Sequence, residues 1–149
     1  YNMQKSKEKM LMMGQLGEKI VKHYAQQNGL LVEDSLSMYD NEKDLKINGR
    51  TAEVKSQMRF FTQNAFTVKE NQVRKCLNAD LLYFVESPSR DDDSIKVWEC
   101  SKENRRFRTY RTRDGRTMKL LDVDDMNLVY VLDDPKIVRE MKSFSNSGW

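Results

Sequence analysis

Hydrophobic positions recur at helical spacing across residues 5–28. Met10, Met13, Gly17, Ile20, Val21 and Tyr24 share one face, and Asn28-Gly29 supplies a stop. Gly14 and Gly17 each weaken such a helix by roughly 1 kcal/mol relative to alanine, which makes sense where another element packs closely. Residues 30–38 predict a strand and 39–43 a polar stretch. Residues 44–55 alternate on both sides of Asn48-Gly49, a strong short-range hairpin signal. Residues 60–68 predict a loop leading into an extended piece, 70–77 a short helix, 81–85 a buried strand and 95–100 another strand. Residues 105–121 predict a second hairpin turning at Asp114-Gly115, and 127–132 a strand. Residues 135–142 predict a helix with Pro135 in its first turn. The pattern contains no internal repeat or linker. It predicts one domain over residues 1–149, an α/β fold with a mixed sheet flanked by helices.

Composition sharpens this picture. Hydrophobic residues make up 38% and charged residues 33% of 149 residues, enough for one core beneath a polar surface. The apolar residues recur in periodic blocks, which excludes a disordered chain. No apolar run approaches the roughly 20 residues of a membrane span, and residues 10–13 are too short for a signal peptide. No membrane association is therefore expected. Cys76 and Cys100 form no disulfide framework or zinc spacing, and the expected location is intracellular. The net charge is only +3, yet residues 102–119 hold Lys102, Arg105, Arg106, Arg108, Arg111, Arg113, Arg116 and Lys119 against Glu103 and Asp114. Such asymmetry points to a surface for a polyanion.

The first hairpin carries the candidate chemistry. With Asn48-Gly49 as a two-residue turn, Ile47 faces Arg50, Lys46 faces Thr51, Leu45 faces Ala52 and Asp44 faces Glu53. Opposed residues have Cβ atoms about 4.5–5.5 Å apart. Alternation puts Lys55 and Gln57 on the Glu53 face and gives the other face Leu45, Ile47, Ala52 and Val54. Two opposed carboxylates repel unless a cation lies between them. Mg²⁺ prefers oxygen ligands and needs only one or two carboxylates. Lys55 beside such a site could position a water or stabilise charge developing on a phosphate. The bland alternative is a solvated hairpin face on which Lys55 merely neutralises Glu53.

Other residues extend the candidate site. Glu18 lies at the edge of the apolar stripe of the first helix. His23, the single histidine, reads as a surface residue. In the basic run Phe107 and Tyr110 are interleaved with arginines and threonines, donors suited to phosphate oxygens and rings suited to stacking on bases. Arg59, with Phe60 and Phe61, follows the Glu53-x-Lys55 strand directly, and Gln72 on the next helix faces either the site or solvent.

Helix with an internal acid, strand, Asp44, hairpin, Glu53-Val54-Lys55, then helix and strand resembles the PD-(D/E)xK nuclease superfamily. Its order is similar to that of archaeal Holliday-junction resolvases and of phage, restriction and homing endonucleases. The resemblance covers residues 14–85 and implies a restriction-endonuclease-like mixed β-sheet core, to which the basic β-hairpin is an addition. It further implies that Asp44 and Glu53 bind Mg²⁺, with Mn²⁺ able to substitute, and that Lys55 is the catalytic lysine. By the same resemblance Glu18 is the helical acid, and Gln57 an accessory residue past the lysine. Lys43 stands where the family name has proline, and Asp40 rivals Asp44 as the first acid. The implied function is a metal-dependent DNA endonuclease, leaving 5′-phosphate and 3′-hydroxyl ends. Arg59, Arg105, Arg106, Arg108, Tyr110, Arg111, Arg113 and Arg116 are the expected nucleic-acid contacts. A homodimer is expected by analogy with relatives that cut two strands, and a phage-encoded member is compatible with the order. A non-catalytic nucleic-acid-binding or assembly module, or an endoribonuclease, is the alternative on the same fold.

Overall fold

The computed structural model describes residues 2–35 and 44–145, and at 2, 3, 35 and 44 the backbone alone. Helix α1 spans Asn2–Gln27 and gives way at Gly29, whose φ of 72° a side chain rarely adopts. Strands β1 (Val32–Ser35), β2 (Asp44–Ile47) and β3 (Arg50–Gln57) follow as an antiparallel meander. Asn48 and Gly49 both take positive φ, 51° and 76°, which is what a two-residue turn between twisted strands requires. The register is Ile47↔Arg50, Lys46↔Thr51 and Leu45↔Ala52, as the alternation predicts.

A short strand β4 (Ala65–Val68) leads through a 3-10 turn at Glu70–Gln72 into helix α2 (Val73–Asn78). Strand β5 (Leu81–Glu86) then returns parallel to β3, and β6 (Ile95–Glu99) is antiparallel to β5. The basic segment forms β7 (Arg108–Arg111) and β8 (Thr117–Asp122), turning at Gly115 with φ 88°. Strand β9 (Asn127–Leu132) and helix α3 (Pro135–Ser145) complete the described chain.

The main sheet has six strands in the order β1-β2-β3-β5-β6-β9, and a second sheet has three in the order β4-β8-β7. The basic hairpin is thus no isolated addition, because β8 is the central strand of a sheet completed by β4. One face of the main sheet buries Leu45, Ile47, Val85 and Val97 against Ile20 and Val21 of α1 and Val138 and Met141 of α3. The opposite face buries Leu82 and Phe84 with Cys76 of α2, Phe66 of β4 and Leu121 of β8. Phe66 and Phe84 stack at 4.9 Å between centroids. The molecule is a three-layer α/β structure. Strand β5 is buried on both faces, which is why residues 81–85 read as an unbroken apolar run. Among the described residues, no helix is long and apolar enough to cross a membrane.

Candidate active site

Strand β3 sorts its side chains between two layers. Ala52 and Val54 pack into the core beneath α1, and Ser56 meets Gly17 of α1. Glu53, Lys55 and Gln57 find their partners in the opposite layer. The Lys55 ammonium stands 3.3 Å from Glu53 Oε1 and donates to Gln72 Oε1 at 2.7 Å. Lys75 of α2 approaches the other Glu53 oxygen at 3.6 Å. Gln72 and Lys75 are three residues apart across the start of α2, so one helical face meets the Glu53-x-Lys55 face of the strand.

Strand β3 is twice as long as β2, eight residues against four. The β2–β3 ladder ends at Leu45↔Ala52. Beyond that point no described residue pairs with β3 on the β2 side, and groups from both layers meet along this part of the strand. A cavity of about 400 Å³ forms there, lined by Glu18 and Gly14 of α1, Glu53 and Val54 of β3, and Lys75 of α2. The helical acid and the strand acid, 35 positions apart in sequence, thus share one cavity. Asp44 is the residue before Leu45 and Glu53 the residue after Ala52, so the backbones place these two acids one step past the last pair. The Asp44 side chain, and Asp40 altogether, lie outside the described residues.

Glu18 and Glu53 bring carboxylate oxygens to the same cavity, the ligand type that a hard cation such as Mg²⁺ prefers. Among the described residues no group of three or more aspartates, glutamates, histidines or cysteines gathers. Both Glu53 oxygens meet lysine ammonium groups.

The remaining candidates divide. Gln57 is a clamp between the two sheets: its Nε2 donates to the Thr67 carbonyl at 2.7 Å, and its Oε1 accepts from Thr67 N at 2.8 Å and from Thr67 Oγ1 at 3.1 Å. It thereby ties β4 to β3. Arg59 turns inward, donating from Nη2 and Nε to Glu86 at 2.8 and 3.1 Å, with its guanidinium 5.4 Å from the Trp98 ring. Glu86 is 4% exposed and also accepts from Trp98 Nε1 at 2.9 Å. This buried cluster is not legible in the sequence, since a glutamate ending an apolar strand gives no sign of its partners.

Arg105, expected as a nucleic-acid contact, is instead enclosed by the fold. It is 5% exposed, and its guanidinium donates to the carbonyls of Cys100 at 3.2 Å, Cys76 at 2.9 Å and Asp80 at 3.1 Å, and also to Ala79. Burial holds its pKa below the ordinary arginine value. Arg105 therefore closes the C-terminal end of α2, satisfying carbonyls the short helix leaves orphaned. Arg108 is half-buried and pairs with Asp122 at 2.9 Å and with Gln63 at 3.0 Å. Tyr110 packs edge-on against Phe60 at 5.4 Å. Arg106, Arg111, Arg113 and Arg116 are exposed, and Arg116 pairs with Asp114 at 2.9 Å. The outward-facing basic surface is thus narrower than the run of charges in the sequence. His23 is exposed and hydrogen-bonded to Gln27 at 3.0 Å, a surface residue as expected.

Lys75 is not legible as a site residue in the sequence, and Gln72 is legible only as facing either the site or solvent. Their three-residue spacing was the only available signal, and it gains meaning only once the opposing strand is known. No protein-family model, curated protein or solved structure matches the chain.

Proposed function

We propose that the chain is a metal-dependent endonuclease acting on DNA, built on a restriction-endonuclease-like core. The observation that carries this reading is the shared cavity of Glu18, Glu53 and Lys75, with Lys55 held 3.3 Å from Glu53. The order α1, β1, hairpin β2–β3, α2 and β5 supports it further, being the order of the family that the motif resembles. Glu53, with Asp44 and Glu18, would hold the ion. Mg²⁺ held there would supply charge neutralisation for the phosphate and a lowered pKa for the attacking water. Lys55, fixed between Glu53 and Gln72, orients the water or meets charge developing on the phosphate. Lys75 adds a second cation on the far side of Glu53.

One observation favours the non-catalytic module instead. Both Glu53 oxygens have ammonium partners, so its charge is already balanced within the chain. Supercoiled plasmid incubated with Mg²⁺ and, separately, with EDTA distinguishes the two. Nicking is expected only with the metal. Lys55→Ala and Glu53→Gln are each expected to reduce it by orders of magnitude while DNA binding persists. DNA binding by the wild type without cleavage in Mg²⁺ or Mn²⁺ would replace the enzyme with the module. RNA offered in parallel separates the ribonuclease reading.

A further inference from the structure

A second cavity, of about 430 Å³, abuts the first along β3, and Met10 lies on the wall of both. The Glu53–Lys55 ion pair marks the junction, since Glu53 lines one cavity and Lys55 the other. Their linings differ in charge. The first holds Glu18 and Glu53, whereas the second holds no aspartate or glutamate among the described residues. It holds Lys55, Ser56, Lys69, Asn71 and Gln72 instead.

Several of these groups have donor capacity to spare. Lys69 and Asn71 are exposed, and among the described residues neither the Lys69 amine nor the Asn71 amide has a hydrogen-bond or ion-pair partner. Gln72 spends its oxygen on Lys55, and its NH₂ group has no described partner. A cavity whose described lining has no acid and includes two lysines and three amides, Gln57, Asn71 and Gln72, has the chemistry of an anion site.

We infer that this cavity is a phosphate subsite, taking the DNA backbone phosphate next to the one positioned at Glu53 and Lys55. The inference rests on the endonuclease reading for its ligand but not for its geometry. The acid-lined cavity and the donor-lined cavity divide the work along one strand. The first gathers the ion and the reacting phosphate, and the second holds the neighbouring phosphate so that the strand lies in register. Lys69 is the principal charge, because Lys55 is committed to Glu53 and Gln72.

The test uses the full chain in EDTA, so that binding is read without cleavage. Affinity for a DNA oligonucleotide is measured against salt for the wild type and for Lys69→Gln. Removing the charge that neutralises one phosphate is expected to flatten the log–log slope by about 0.7–0.9. Inorganic phosphate titrated into the labelled protein is expected to shift the amide resonances of Ser56, Lys69 and Asn71. An unchanged slope in Lys69→Gln, with no phosphate-dependent shifts there, overturns the subsite even if the wild type cuts DNA. A flattened slope in a protein that never cuts sustains the subsite and removes the endonuclease. A wild type that binds no DNA and shows no phosphate shifts removes both.

Discussion

Gly17 of α1 and Ser56 of β3 approach so closely that a methyl group on the glycine would overlap the serine Oγ and stand 3.0 Å from its Cβ. This approach seats α1 on the strand that carries Glu53 and Lys55, and it sets the position of the adjoining Glu18. Gly17→Ala is therefore expected to lower stability by about 1–3 kcal/mol through overpacking. Ser56→Ala in the same chain should recover part of that deficit, since the Oγ is the nearest obstacle. A methyl group at Gly14 would meet nothing within 4 Å, and Gly14→Ala should instead stabilise by up to about 1 kcal/mol. Urea denaturation of these variants decides the matter; equal effects at the two glycines would contradict the close approach.

The arginines should separate by burial rather than by sequence. Arg105→Met removes the donors to at least four carbonyls around the end of α2 and should cost about 3 kcal/mol. Replacing Arg111, Arg113 and Arg116 by glutamine should leave the melting temperature nearly unchanged. The triple variant should flatten the salt dependence of DNA binding by about 0.7–0.9 for each phosphate no longer neutralised. A stable Arg105→Met protein with weakened DNA affinity would return Arg105 to the binding surface.

Gln72 is a positioning residue, and its effect should run through Lys55. Its oxygen accepts the Lys55 ammonium at 2.7 Å, and removing it leaves the lysine with Glu53 alone. Gln72→Leu is expected to reduce the cleavage rate about 10- to 100-fold through misplacement. It should also displace the pH–rate profile, while KM changes little. A fall in rate with an unmoved profile would indicate a structural defect instead, and Gln72→Glu, which keeps an acceptor, should recover part of the activity.

Alkaline pH should unfold the protein earlier than its surface charge suggests. Burial lifts the Cys76 and Cys100 thiols from an ordinary value of 9.0 to about 11. A thiol with a raised folded pKa keeps its proton while the unfolded chain releases it. Its contribution is therefore whole below pH 9 and declines as pH rises toward 11, by up to about 1.4 kcal/mol per pH unit for each thiol. Burial raises the Tyr83 phenol as well, with the same sign. The Cys76→Ala/Cys100→Ala protein should lose stability less steeply than the wild type between pH 9 and 11. Parallel stability curves would show that the thiols do not carry the effect.

Local signals in the sequence were sufficient for most elements. Helical spacing located α1, the Asn48-Gly49 turn set the β2–β3 register, and Asp114-Gly115 located the second hairpin. Each depends on neighbours a few residues apart, where backbone preference and side-chain alternation act directly. Alternation likewise put Glu53, Lys55 and Gln57 on one face. What depended on contacts between distant segments was not legible. Strand β4 joins the basic hairpin in a second sheet because Phe66 and Leu121 must bury against Phe84. Arg105 and Arg116 belong to the same run of charges, yet one is enclosed by carbonyls and the other stands in solvent. Lys75 meets Glu53, and Gln57 is withdrawn into Thr67, only because α2 and β4 cover that face of β3. Periodicity along a chain reports which side of an element is apolar. Only the packing of one element on another determines which polar group finds a partner, which is enclosed, and which remains available for chemistry.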